Sequence, residues 1–213
     1  MSTCCCHAQS ARRFFSFFAR RSRNRYKRRG FEASQKQLIE GLEQLGYRDA
    51  TVLDIGCGVG HLHQTLLEKG ARSAVGIDLA PKMLAEARDW AQQRGLSDRV
   101  RYIEGDFMAL DDIDNTDVTL LDKVVCCYPD AQGLVEKSLA KTKRMYGLTY
   151  PRDRWFVRLG VGVIACLLRL MRSDFRSYVH DPAQIERSIT DNGFRKRFES
   201  QTAVWLTQVY QKS

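Results

Sequence analysis

VLDIGCGVG, residues 52–60, runs from a short apolar segment into a turn with glycine at 56, 58 and 60. Residues 51–55 (TVLDI) are β-branched and apolar, as expected of a strand buried on both faces, and 61–69 (HLHQTLLEK) carry a helical pattern that Gly70 stops. The resulting order is strand, tight turn, helix. It recurs: 73–78 reads as a second strand, Pro81 starts a helix over 82–94, and Gly95 lies just past its end. Strands are expected at 100–104 and 117–121, a helix over about 130–141, and a fifth strand at 143–150. Beyond Pro151 the spacing predicts a long helix over 153–171 and, opened by Asp181-Pro182, another over 182–190. Two closing strands, 194–199 and 203–209, are expected antiparallel at the sheet edge. The pattern predicts an α/β fold, a Rossmann-like, mostly parallel sheet with helices on both faces.

The chain has 213 residues, 44% hydrophobic and 28% charged, which excludes a disordered or low-complexity protein and suits one globular domain. Its net charge of +9 is localised. Residues 1–30 hold nine Lys/Arg and no acid, which leaves 25 of each sign in 31–213. A basic, aromatic N-terminal arm (1–30) therefore precedes a charge-neutral body (31–213). Phe14, Phe15 and Phe18 share one helical face of the arm beside Arg12, Arg13, Arg20 and Arg21. That composition fits an interfacial helix on an anionic membrane, or a lid packed on the body. Seven cysteines, three of them contiguous (4–6) and two adjacent (126–127), make no regular disulfide framework, so reduced thiols and a cytoplasmic location are expected. The longest apolar run, Leu159 to Leu168, is ten residues, short of the roughly 20 needed to span a bilayer. No signal-peptide core follows the N-terminal charges. Contact with a membrane is therefore expected to be peripheral.

Glycine-rich turns after a first strand serve both nicotinamide cofactors and S-adenosylmethionine. A dinucleotide site wants GxGxxG, but here the sixth position from Gly56 is His61. Asp54, just before the turn, would repel a diphosphate yet attract a cationic amino-acid head group. The local chemistry thus favours the sulfonium amino-acid nucleoside, and no P-loop pattern is present. Asp78 closes the second strand, where an open parallel sheet points an acid at a ribose diol. Asp106 follows the third strand, placed to accept from an adenine amino group with Phe107 near the ring face.

VLDIGCGVG with Asp78 and GDF at 105–107 resembles the class I S-adenosylmethionine-dependent methyltransferases. The resemblance covers most of residues 50–150. The later segments LLDKVVCCYPD, YGLTYPRDRW and FRSYVHDP look most like the magnesium-protoporphyrin and quinone-type small-molecule O-methyltransferases, from which Cys4-Cys5-Cys6-His7 and Cys126-Cys127 depart. The family implies a seven-stranded sheet whose last strand is antiparallel and inserted between its neighbours. It also implies a cofactor set of Asp54, Gly56, Cys57, Gly58, Gly60, Asp78, Leu79, Asp106, Phe107 and Asp122, with Asp54 and the glycines on the methionine part, Asp78 on the ribose, and Asp106 with Phe107 on the adenine.

Asp122 ends the fourth strand, and Cys126, Cys127 and Tyr128 follow where an acceptor would face the methyl group. An acceptor carboxylate needs no general base, whereas a phenol profits from one, and His180 is the candidate, together with Tyr128, for the catalytic side. The competing reading of His180 is a loop residue that helps start the next helix. His61 and His63, two apart, do not share a helix face and are not paired as metal ligands. Cys4 to His7 lack CxxC spacing; a floppy tail competes with a metal site there, and no metal is assigned. Methyl transfer to a small, partly apolar acceptor, at oxygen, is the leading expectation. The apolar side of helix 153–171, with Arg152, Arg154, Arg158, Arg169 and Arg172 at its ends, is expected to wall the acceptor pocket. Nucleic-acid methylation is the alternative from the Arg-rich arm, disfavoured by the neutral body and by the absence of an Asn/Asp-Pro-Pro-Tyr/Phe motif. A third reading is a membrane-surface or assembly protein that keeps a cofactor fold for binding alone.

Overall fold

A computed structural model describes the backbone of residues 3–170, 173 and 175–213, and the side chains of those from Ser10 onward. The elements run α1 (Thr3–Arg29), α2 (Ala33–Leu45), β1 (Thr51–Ile55), α3 (His61–Glu68), β2 (Ser73–Asp78), α4 (Pro81–Gln93), β3 (Val100–Glu104), β4 (Thr116–Asp122), α5 (Ala131–Ala140), β5 (Thr142–Pro151), α6 (Trp155–Leu170), α7 (Pro182–Asp191), β6 (Phe194–Gln201) and β7 (Trp205–Lys212). They build a seven-stranded sheet ordered β3-β2-β1-β4-β5-β7-β6. β1 to β5 pair in parallel, and β7 runs antiparallel between β5 and β6. The inserted antiparallel last strand matches the family's pattern.

β1 is buried on both faces because successive side chains leave a strand in opposite directions. Leu53 and Ile55 join Leu121, Leu134, Val135 and Tyr146 in one core layer. Val52 joins Leu120, Leu38, Leu42 and Leu66 in the other. Both layers pull the C-terminal ends of β1, β2 and β4 into line, which brings the turns after them to one sheet edge.

Three findings differ from the sequence reading, and a fourth decides between its alternatives. α2 lies in a stretch to which no element had been assigned; Glu32 caps it, with the reciprocal Gln35 contact of a capping box. Residues 4–7 are helical rather than a tail, and their side chains, and with them the metal question, lie outside the described residues. Of the two readings of the arm, its described part packs on the body. α1 packs Ala19 against Val59, Ala80 and Met83, and Arg23 pairs with Glu86 and Asp89 at 2.6 Å each. Finally, α6 does not wall the pocket. Only Val157 and Leu168 are buried on it, because the place over the cavity is taken by α1, through Phe15 and Ser22. Arg172 lies outside the described residues. Among the described residues no helix is long and apolar enough to cross a membrane, and no metal-ligating cluster occurs.

Candidate active site

Gly56, Gly58 and Gly60 all adopt left-handed backbone, with φ of 67°, 54° and 79°. At Gly56 a Cβ would stand 2.4 Å from Val124 Cγ2, so backbone and space both demand glycine. At Gly58 nothing lies within 4 Å of that position, and its backbone borders open space. The Gly58 amide donates to Asp78 Oδ2 at 2.8 Å, and the Ala80 amide donates to Asp78 Oδ1 at 2.8 Å. This carboxylate therefore ties the turn after β1 to the turn after β2. Burial pushes its pKa up to about 6.

Two cavities meet at Gly56, Gly58, Met83, Asp122 and Lys123. One, of about 190 Å³, is polar and carries both signs of charge: Asp54, Glu32 and Asp122 against Arg25 and Lys123. The other, of about 250 Å³, runs past Asp78 and Leu79 to Phe15, Phe107 and Tyr128. Cys57 lines the first, its buried thiol pushed well up by desolvation and then by Asp54.

Asp122 Oδ2 accepts from Gln35 Nε2 at 2.8 Å, whereas its buried Oδ1 has no protein partner. Burial raises this carboxyl above its ordinary value. Lys123, itself left-handed at φ 61°, donates to Glu32 Oε2 at 2.8 Å. Burial raises the Glu32 carboxyl, but the Lys123 ammonium and the Arg25 guanidinium outweigh it and hold the group below the usual range. Gln35 and Glu32 were invisible to the motif reading because both come from the unassigned α2 region.

Asp54 is also held by a partner that the sequence did not suggest. His63 Nδ1 donates to Asp54 Oδ2 at 2.7 Å, and Tyr102 Oη donates to His63 Nε2 at 3.0 Å, a tautomer assigned from the network. Gln64 Nε2 donates to the same Tyr102 oxygen at 2.8 Å. His61 instead faces the first cavity, stacked on Tyr26 of α1 with centroids 4.5 Å apart. Burial drives its pKa down to about 4, so the ring is neutral.

On the acceptor side, Tyr128 Oη donates to Asp106 Oδ1 at 2.6 Å, and Asp106 Oδ1 also accepts the Met108 amide at 3.0 Å. Burial and the Asp106 charge push the Tyr128 phenol far above its ordinary pKa. Gly105 and Phe107 border the second cavity; Asp106 reaches it through Tyr128. His180 does not border it. Its Nε2 lies 3.0 Å from the Tyr128 carbonyl, and the ring lines a separate cavity of about 150 Å³ with Asp130 and Gln184. Desolvation lowers its pKa, which leaves it neutral near pH 7. Cys127 does border the second cavity; Cys126 and Cys127 sit with sulfurs 3.4 and 3.6 Å from the Lys123 carbonyl.

The residues fit a zwitterionic amino acid joined to a nucleoside. Opposed charges and the orphaned Asp122 oxygen stand at one end, and an acid with spare lone pairs, beside apolar walls, stands at the other.

Residues 52–145 match a family model described as a methyltransferase domain. Ribosomal protein L11 methyltransferase of Pasteurella multocida (strain Pm70) is 44% identical over 63 residues, which is 30% of this chain and 22% of that protein. The chain thus spans about a fifth of the length of the curated relatives it matches. The fold is shared with magnesium protoporphyrin IX methyltransferase from Synechocystis PCC 6803 with bound SAM, at TM-score 0.67 and 19% identity over 96% of this chain and 97% of that one. It is also shared with geranyl diphosphate C-methyltransferase from Streptomyces coelicolor A3(2), at TM-score 0.66 and 13% identity over 84% and 78%.

Proposed function

We propose that this class I S-adenosylmethionine-dependent methyltransferase transfers the methyl group to an oxygen of a small, partly apolar acceptor that enters the site already ionised. The observation that carries the proposal is the wall of the about 250 Å³ cavity. In this reading Ile55, Ile77, Leu79 and Phe107 wall the donor's nucleoside, which leaves Phe15, Val124 and Cys127 for the acceptor, and among the described residues no histidine borders the cavity. The Tyr128 phenol, committed to Asp106, is a hydrogen-bond donor and not a base.

When bound, the donor supplies an electrophilic methyl group on a sulfonium. Asp54 and Asp122 would receive its ammonium, Arg25 and Lys123 its carboxylate, and Asp78 its ribose diol. Phe107 packs beside the adenine, and Asp106 holds Tyr128 at the acceptor end. The acceptor oxygen forms the new C–O bond as the C–S bond breaks. A carboxylate acceptor becomes a neutral ester, and no proton has to move. In this reading His180 is a positioning residue that steadies the Tyr128 backbone. The protein acceptor named for the L11 relatives is not carried over, since the match spans 63 residues.

An acceptor panel tests the proposal. Turnover of an apolar carboxylic acid is expected to exceed that of the matching phenol near neutral pH and, at saturating donor, to stay flat with pH above the acid's own pKa. A phenol turned over faster, with an acid limb below the ordinary histidine pKa of about 6.5 that His180→Ala abolishes, would overturn it.

A further inference from the structure

We propose that the outward face of α6 is the surface by which this protein lies on an anionic lipid bilayer, delivering the acceptor from the membrane. The delivery step rests on the apolar acceptor proposed above; the surface does not.

α6 exposes Trp155 at 76%, Leu159 at 61%, Leu167 at 55% and Leu170 at 76%. A soluble fold rarely leaves one helix face so apolar without a partner. The helix has 16 residues, about 24 Å of length, too short to span a bilayer and suited to lying in its surface.

The charge around this face selects its occupant. WFVRLGVGVIACLLRL contains no acid; Arg158 near one end is paired with Asp153 just before the helix, and Arg169 stands near the other end. Arg154 just before the helix, Arg169, and Arg13 and Arg21 of α1 are exposed, and no ion pair holds them among the described residues. A rim of arginines around an apolar strip complements anionic headgroups above an acyl layer. A second copy of the chain fits less well, because helix against helix would set arginine ends near arginine ends.

The face is also next to the site. Leu168, at its buried margin, packs with Ala11 and Phe175, beside Phe14, Phe15, Leu79 and Cys127. Phe15, Leu79 and Cys127 border the second cavity. Phe14 stacks on Phe175 at 5.3 Å, and Phe175 clusters with Leu168, so the buried margin of α6 meets the aromatic side of α1.

The test is cosedimentation of the full chain with phosphatidylcholine vesicles, with and without phosphatidylglycerol. A Leu159→Glu/Leu167→Glu variant is run alongside, with donor affinity and circular dichroism as fold controls. Binding only to anionic vesicles, weakened as salt rises from about 0.1 M to 1 M and cut at least about ten-fold in the variant with its donor affinity intact, is the expected result. Should the variant misfold, Trp155→Ser/Leu170→Ser serves the same purpose. Two outcomes overturn the proposal: wild-type protein that stays in the supernatant, or a wild-type dimer that the variant dissolves without any vesicle binding. Methylation of an apolar acid held in neutral detergent micelles tests the acceptor separately. Turnover there without vesicle binding would remove the membrane surface alone, and vesicle binding without turnover would remove the acceptor alone.

Discussion

Asp78→Ala should separate donor binding from folding. In the wild type, Asp78 accepts the Gly58 and Ala80 amides at 2.8 Å each, and each oxygen keeps a lone pair for one ribose hydroxyl. Charge-assisted bonds contribute about 1.5–3 kcal/mol each, so losing two to the diol costs roughly 3–6 kcal/mol, or about 10²–10⁴ in Kd. The fold pays differently. Alanine strands two amides, at a similar gross cost, but it also removes a buried carboxylate whose pKa is pushed up to about 6. That displacement of about two pH units from the ordinary 3.8 offsets roughly 3 kcal/mol at neutral pH. Stability should therefore fall by no more than about 3 kcal/mol, well under the loss in affinity. Calorimetric titration with S-adenosylmethionine and a urea melt of the same preparation measure both. Donor affinity within three-fold of wild type, in a folded protein, would refute the ribose assignment. Asp78→Asn should be milder, since its carbonyl still accepts. In the wild type, donor affinity should weaken as pH falls through about 6, where Asp78 takes up a proton and loses acceptor capacity.

His61 is neutral in the fold with a pKa of about 4 against an ordinary 6.5, so the unfolded chain binds the proton first. Stability is lost as pH falls from 6.5 toward 4, by at most about 3 kcal/mol, and urea midpoints for His61→Phe should lack that share of the acid limb. Gly56→Ala, with its Cβ 2.4 Å from Val124 Cγ2 in left-handed backbone, should lower the urea midpoint and weaken donor binding together; an unchanged midpoint would contradict the packing described. Removal of residues 1–29 takes away Ser22, Arg25 and Tyr26 from the polar cavity, so donor Kd should rise at least about ten-fold, and an unaltered Kd would return α1 to a detachable arm.

How much of this was legible in the sequence follows from the range of each signal. The β1 turn is local: apolar run, Asp54, three glycines, and the structure sets all of them at one sheet edge. The order of β7 between β5 and β6 came through the family resemblance, because periodicity says nothing of which strands become neighbours. α2 had its own period in Leu38, Ile39 and Leu42, but no site motif drew attention to it, and its Gln35 reaches Asp122 only through tertiary packing, 87 residues along the chain. His63 likewise meets Tyr102 only once β3 lies beside β2. For α6 the apolar spacing predicted the helix correctly, but periodicity cannot tell a face turned to a pocket from one turned outward. The aromatic face of α1 was equally two-sided in sequence, and packing decided for the body, with Ala19 on Val59 and Met83.

The most direct measurement of the central claim is mass spectrometry of reactions supplied with methyl-deuterated S-adenosylmethionine and a panel of small apolar carboxylic acids. Labelled methyl ester is expected, with one S-adenosylhomocysteine released for each ester formed. Donor binding without S-adenosylhomocysteine above the acceptor-free background, or label recovered on protein or nucleic acid instead of on the small acids, would contradict it.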